Sequence, residues 1–411
     1  MNALLIFTFL LPLRGLCEKL VLVGGGLSDD NEEIWGTFLD LAGGASSASI
    51  GIITAASADP QDSYDYYEDL LLKRYDVNEV YWIPIHVGNT EANEDPVVIA
   101  NIGRMTGFFA GGGDQARILE SFYNNGEESS ALVKIKEMYF SEEAVMGGTS
   151  AGAAVVGSAP MIMGGMSYEA LRYGAFPEGE EGGPDDLIYE PGGGIGLLDS
   201  HIVDSHYSER GREGRLARLV WDTRNLPNGV QFGIGVDEDT AFVITGDSLQ
   251  TQAGEVFGRA GVMLIDVTNA VQDPDAAYFR LDDVRLHYMT HGDHIRMRTH
   301  FITFDDSWKS NLAGDEEYDR ALTTDKIFDG TRSSSFPEFQ RVARSIFDSR
   351  LDDSTEGQTE ESAPKFEVFF HTEAESEGWG GYSPLHGGWE ISYHALWCSI
   401  YDLSTKKDNL K

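Results

Sequence analysis

Ala144-Val145-Met146-Gly147-Gly148-Thr149-Ser150-Ala151-Gly152-Ala153-Ala154-Val155-Val156 is the stretch that decides how this chain folds. A short apolar run enters it, a helix-competent run leaves it, and G-x-S-x-G stands at the joint. Glycines two before and two after a serine let the backbone turn sharply without side-chain clash, lifting the hydroxyl above the strand end. The helix that follows turns free N–H groups and partial positive charge toward that hydroxyl, which suits an oxyanion. Ordinary tight turns also produce this pentapeptide, so its meaning depends on its neighbours.

Upstream, the strand-then-helix rhythm repeats. Apolar segments at 20–23, 50–54, 80–85, 107–109 and 144–146 alternate with helical patterns at 32–41, 64–75, 96–105, 116–123 and 131–140. Short apolar strands without in/out alternation predict an α/β fold whose parallel sheet is covered on both faces, with ligands gathering at the strands' carboxyl ends. Those ends carry Gly24-Gly25-Gly26, Gly111-Gly112-Gly113 and Gly147-Gly148. None completes G-x-G-x-x-G or a P-loop, which argues against a nucleotide site. An acidic loop at 177–196 precedes a second β-rich passage over 202–266. Beyond 270 the rhythm is lost. Residues 271–411, with seven of the ten histidines, read as a C-terminal extension of uncertain fold, and 352–364 as an acidic linker.

The chain has 411 residues, enough for one large domain or two ordinary ones. With 68 Asp and Glu against 30 Lys and Arg, its net charge of −38 excludes nucleic acid and anionic membrane as partners. Residues 1–17 read as the apolar core of a secretory signal, with small Gly15 and Cys17 at the cleavage site, although no Lys or Arg precedes the apolar run. A secreted, extracellular protein follows, in which Cys398 has no partner for a disulfide. No Asn-x-Ser/Thr sequon occurs, so N-glycosylation is not expected.

A serine hydroxyl needs a base to take its proton and a third group to orient that base. His206, at the end of the apolar segment Ile202-Val203-Asp204-Ser205, is the candidate base. Glu238, within Asp237-Glu238-Asp239, is the candidate orienter. The order Ser150, His206, Glu238 is not the Ser, acid, His order of conventional α/β-hydrolases, so a lipase or esterase is disfavoured.

Four motifs in this order resemble the cyanophycinases, which with peptidase E form a family of serine peptidases. They are Gly111-Gly-Gly-Asp-Gln115, Gly147-Gly-Thr-Ser150-Ala-Gly-Ala153, Asp204-Ser-His206-Tyr-Ser-Glu-Arg210-Gly-Arg212-Glu-Gly-Arg215-Leu216 and Gly235-Val-Asp-Glu238-Asp-Thr-Ala241. The resemblance covers about 19–266. It implies a flavodoxin-like three-layer α/β/α sandwich with a mainly parallel sheet, related to class I glutamine amidotransferases, in a peptidase domain over 18–270. It also implies Ser150 as nucleophile, His206 as base, Glu238 as triad acid, and an oxyanion hole from Ala151 with Gly112 or Gly113. Gln115, Asp114, Ser205, Arg210, Arg212 and Arg215 would then face substrate. Cyanophycinases hydrolyse β-aspartyl-arginine units, and peptidase E removes N-terminal aspartate. The family commonly has Gln where this chain has Ser205, which leaves the triad untouched and the substrate open.

Residue chemistry allows two accounts of the arginines. Arg212, Arg215 and Arg218 share one helix side and suit a carboxylate receptor, or they pair internally with acids such as Glu209 and Glu213. His291, His294 and His300 match no standard zinc spacing, so neither a metal site nor a cofactor is expected. The expected partner is a peptide substrate, and a homodimer and weak Ca²⁺ association with the acidic surface are compatible with the sequence. The rival reading is an acidic extracellular or mineral-associated scaffold that retains the peptidase fold without its activity.

Overall fold

The computed structural model of the chain describes residues 18–141, 143–180, 182–246, 251–330 and 337–403. The expected signal segment at 1–17 lies outside them. In the first sheet, β1 (Glu18–Val23), β2 (Ser49–Ile53), β3 (Glu79–Ile83), β4 (Gly107–Ala110) and β5 (Val145–Thr149) run parallel in the order β3-β2-β4-β5-β1. Between them lie α1 (Glu32–Leu41), α2 (Pro60–Lys73), α3 (Pro96–Ile102), α4 (Gln115–Phe122) and α5 (Ser130–Phe140). Their starts are written locally. Asn31, Asp59, Asp95, Asp114 and Ser129 each accept an N–H of the following first turn, and Pro60 and Pro96 occupy first-turn positions where no N–H is needed.

β1 shows why these strands read as unbroken apolar runs. Leu20 and Leu22 enter one core with α3, α4 and α5, while Val21 and Val23 enter another with α1 and α2. Both faces are covered, giving the three-layer α/β/α arrangement. The short helix α6 (Ala151–Ala154) follows β5 directly.

The second sheet begins with β6 (Ile202–Ser205), which is followed by α7 (Glu213–Thr223) and pairs in parallel with β7 (Phe232–Val236). β8 (Thr240–Gly246) then returns antiparallel to β1, and β9 (Ala253–Gly258) pairs with β8. β10 (Gly261–Asp266) pairs antiparallel with β7.

The stretch expected as a C-terminal extension does not stand apart. β11 (Leu281–Thr290) pairs with β10, and β12 (His294–Arg296) and β13 (Phe301–Thr303) extend the first sheet beyond β9. After α8 (Glu338–Ser345), β14 (Ser354–Gln358), β15 (Phe366–His371) and β16 (Trp389–Asp402) complete the second sheet. Val284, Leu286, Phe370 and Tyr393 share one buried core with Leu216 and Met263. The expected linker at 352–364 contains β14, paired with β15. Its buried positions are Thr355 and Gly357, so no apolar alternation announced it. Among the described residues, no helix is long and apolar enough to cross a membrane.

Candidate active site

Ser150, between β5 and α6, adopts φ 55° and ψ −114°, a region a side-chain-bearing residue occupies only when its surroundings hold it there. The flanking glycines make this turn possible. A Cβ on Gly148 would lie 2.2 Å from the Gly152 carbonyl oxygen, and one on Gly152 would lie 2.2 Å from the Ala110 carbonyl oxygen. The Ser150 N–H donates to the Val23 carbonyl at 3.0 Å, fixing the turn over β1.

His206 follows β6 with φ 46°. Its Nε2 lies 2.9 Å from Ser150 Oγ and its Nδ1 lies 2.5 Å from Glu238 Oε1. Parallel pairing of Ser205 with Val236 sets the ends of β6 and β7 side by side, so base and acid meet although 32 residues separate them. A carboxylate accepting from Nδ1–H turns the Nε2 lone pair toward the serine hydroxyl. Burial holds the His206 imidazolium below its usual range, Arg210 and Arg212 add to this, and Glu238 opposes it. The ring is therefore neutral at neutral pH, as a general base must be.

The triglycine ending β1 forms the floor. A Cβ on Gly25, whose φ is +104°, would lie 2.2 Å from the His206 ring, and one on Gly26 would lie 3.2 Å from Glu238 Oε2. The Gly24 carbonyl accepts the His206 N–H at 2.5 Å. Sequence reading placed these glycines at a strand end without giving them a role. The signal was the run itself, which lets the backbone approach the imidazole closely.

A cleft of about 280 Å³ opens beside the serine, bordered by Gly113, Gln115, Ala151, Ile162, Ser205 and Arg210. Of the two loop glycines expected at the oxyanion, Gly113 borders the cleft, and a Cβ on Gly112 would lie 3.3 Å from Ser150 Cβ. Gln115 spans the cleft edge, donating from Nε2 to the Ile162 carbonyl at 2.7 Å. Asp114 borders the cleft too, but its carboxylate accepts the Ala116 N–H at 2.9 Å and so caps α4. The acidic loop at 178–186 is exposed and none of its described residues lines the cleft.

The arginine series divides. Arg215 donates to both oxygens of the buried Asp204, at 2.8 and 2.6 Å, and to the Gly165 carbonyl at 2.7 Å. Arg212 reaches Asp204 at 3.3 Å and the Ser205 carbonyl at 2.5 Å. Burial pushes the Asp204 carboxyl up, but the two guanidiniums outweigh it and hold it below the usual range. Both arginines border the cleft, and the carboxylate they share is Asp204 rather than Glu209 or Glu213. Arg218 pairs with Asp222 at 2.6 Å. Arg210 is exposed on the cleft, and its guanidinium makes no hydrogen bond or ion pair with any described residue.

Beneath the triad lies a brace that sequence reading missed. Asp237 accepts the Ser208 N–H at 2.9 Å, the Gly261 N–H at 3.3 Å and the Tyr288 hydroxyl at 2.6 Å. It thereby ties the loop after His206 to the turn bearing Glu238. Burial and the neighbouring Asp237 push the Glu209 carboxyl up to about 8. Among the described residues, no group of three or more His, Cys, Asp or Glu is placed to hold a metal. His291 and His294 instead face the single acids Glu33 and Glu255.

The sequence profile of peptidase family S51 matches residues 20–252. A cyanophycinase of Synechococcus elongatus is 30% identical over 300 residues, covering 69% of this chain and 81% of the relative. A cyanophycinase of Geminocystis herdmanii is 32% identical over 298 residues, covering 68% and 94%. The crystal structure of a peptidase from an acI-B1 Actinobacterium is similar with a TM-score of 0.47 at 18% identity, covering 69% of this chain and 98% of that one.

Proposed function

This chain belongs to peptidase family S51, and on that premise we propose that it cleaves aspartyl, including β-aspartyl, peptide bonds through an acyl-enzyme on Ser150. The observation that carries this reading is the unbroken hydrogen-bond chain from Glu238 through His206 to Ser150. His206 takes the hydroxyl proton as Oγ attacks the scissile carbonyl, and Glu238 stabilises the imidazolium that forms. The N–H groups of Ala151 and Gly113 receive the oxyanion. His206 then protonates the departing amine, and a water activated by the same ring hydrolyses the ester. Arg210, the unengaged cation of the cleft, takes the substrate carboxylate, which suits an aspartyl residue. Ser205 leaves the identity of the leaving residue open, and secretion through residues 1–17 belongs to the same proposal.

A panel of α- and β-aspartyl dipeptides tests the reading. Ser150→Ala lowers hydrolysis by about 10⁴-fold or more while leaving the fold intact, and a fluorophosphonate probe labels the wild type but not the variant. A correctly folded wild type that cleaves no member of the panel and takes up no probe overturns it.

A further inference from the structure

The turn from β7 to β8 carries three consecutive acids, and each is sent a different way. Asp237 turns into the brace and Glu238 meets His206. Asp239 serves neither the chemistry nor the brace. It is half-buried, and its φ of 49° places it in the left-handed region.

Asp239 grips the loop 24–31 at both ends. Its N–H donates to the Gly25 carbonyl at 2.9 Å, next to the Gly24 carbonyl that accepts the His206 N–H. Consecutive carbonyls of the floor thus hold the base and the residue after the acid, which sets one in register with the other. At the far end, Asp239 Oδ1 accepts the Ser28 N–H at 3.0 Å and the Asn31 side-chain amide at 2.9 Å. Asn31 also caps α1, its own Oδ1 accepting the Ile34 N–H at 3.1 Å. The second carboxylate oxygen of Asp239 faces Arg259 Nε at 3.2 Å. An ionised acceptor makes these bonds stronger than neutral ones.

The floor needs such a clamp. Gly25 and Gly26 adopt φ of +104° and +57° and have no side chain to pack. The backbone freedom that lets them approach His206 and Glu238 equally lets them drift away. Trp35 and Tyr75 hold the loop through the Ser28 and Asp29 carbonyls, at 3.3 and 2.8 Å. Asp239 ties the same loop to the turn that bears Glu238.

We propose that Asp239 is a positioning residue for the Glu238–His206 pair, clamping the triglycine loop so that acid and base stay aligned. This rests on the reading of Ser150, His206 and Glu238 as a triad. Asp239 touches no reacting atom and acts through the floor. A left-handed turn alone is satisfied by glycine, whereas the clamp needs a side-chain acceptor.

That difference supplies the test. Asp239→Gly keeps the backbone freedom and removes the carboxylate, while Asp239→Asn keeps the turn and the Oδ1 acceptor. On the aspartyl peptide panel, Asp239→Gly lowers kcat by between about tenfold and 10²-fold with KM unchanged, the cost of a displacement approaching 1 Å. Asp239→Asn recovers most of it. Asn31→Ser retains a cap for α1 but loses the amide, and shifts kcat the same way by less. Proton NMR of the full chain reads the pair without turnover. The far-downfield Nδ1 proton shared by His206 and Glu238 is present in wild type, Ser150→Ala and Asp239→Asn, and is lost or moved upfield in Asp239→Gly. A folded Asp239→Gly with wild-type kcat and resonance overturns the proposal. So does a fall in kcat with the resonance unmoved, or an Asp239→Asn as impaired as Asp239→Gly. A wild type that cleaves no panel member, yet loses the resonance in Asp239→Gly alone of the two Asp239 variants, upholds the clamp and breaks only the peptidase reading.

Discussion

The catalytic cleft and the brace beneath it are built differently. Every cleft residue given a chemical role lies between Gly113 and Glu238, in turns that follow strands. The brace draws on Gly261 and on Tyr288 of β11, and its Asp237 carboxylate is fully buried, whereas Ser150 and Glu238 are partly exposed. Chemistry here is carried by short motifs, whereas its alignment is carried by partners far along the chain. Tyr288 lies 51 residues from the carboxylate it holds.

That division can be broken by substitutions on either side. Glu238→Gln removes the orienting charge and reverses the imidazole's hydrogen-bonding preference, so kcat falls by about 10⁴-fold with little change in melting temperature. A smaller effect on kcat would show that His206 is oriented by other means. Gly25→Ala drives a methyl group into the His206 ring at a positive φ. A displacement near 1 Å costs about 10²-fold in kcat, and the melting temperature falls as well. If the variant keeps wild-type activity, the floor is not what fixes the base.

Two smaller effects sharpen the comparison. Tyr288→Phe leaves one buried carboxylate oxygen short of a donor. We expect a fall of about tenfold in kcat with KM unchanged and a stability loss of about 1–3 kcal/mol; a stability loss without any change in kcat would make Tyr288 structural only. The smallest effect concerns Glu209. Its folded carboxyl is raised from 4.5 to about 8, so its protonated form contributes stability that is complete below the unfolded value and is lost as pH rises through 8. Glu209→Gln therefore melts close to wild type at pH 5 and above it at pH 9, and equal melting at both values would remove Glu209 from the brace. His206, by contrast, is shifted downward, placing the acid limb of kcat/KM below pH 6.5.

Much of the first sheet was legible because its signals are local. Apolar runs, caps such as Asp59 and Asp95, and the Gly148–Gly152 turn all act within a few residues. The second sheet was opaque beyond 270 for equally physical reasons. Asp283, at φ 61°, sits in the register shift between Leu281 and Val284 in the pairing of β11 with β16, so the strand's alternation is broken where it would be read. In the candidate site, the grouping of Ser150, His206 and Glu238 was readable, but the partners of the arginines were not. Strand alternation sends Asp204 and Ser205 to opposite faces of β6, and only the packing of α7 against that strand shows that Asp204 engages Arg212 and Arg215.

The order of the strands also has a temporal meaning. Ser150 follows a strand of the first sheet, while His206 and Glu238 stand at the ends of β6 and β7 in the second. β16, which joins β11 to β15, finishes at Asp402. A chain still emerging from the ribosome therefore carries its serine, histidine and glutamate long before the sheet that aligns them is complete. On the proposed reading, alignment of the three waits for β16, the last strand among the described residues, and competence is a late event in the birth of the molecule.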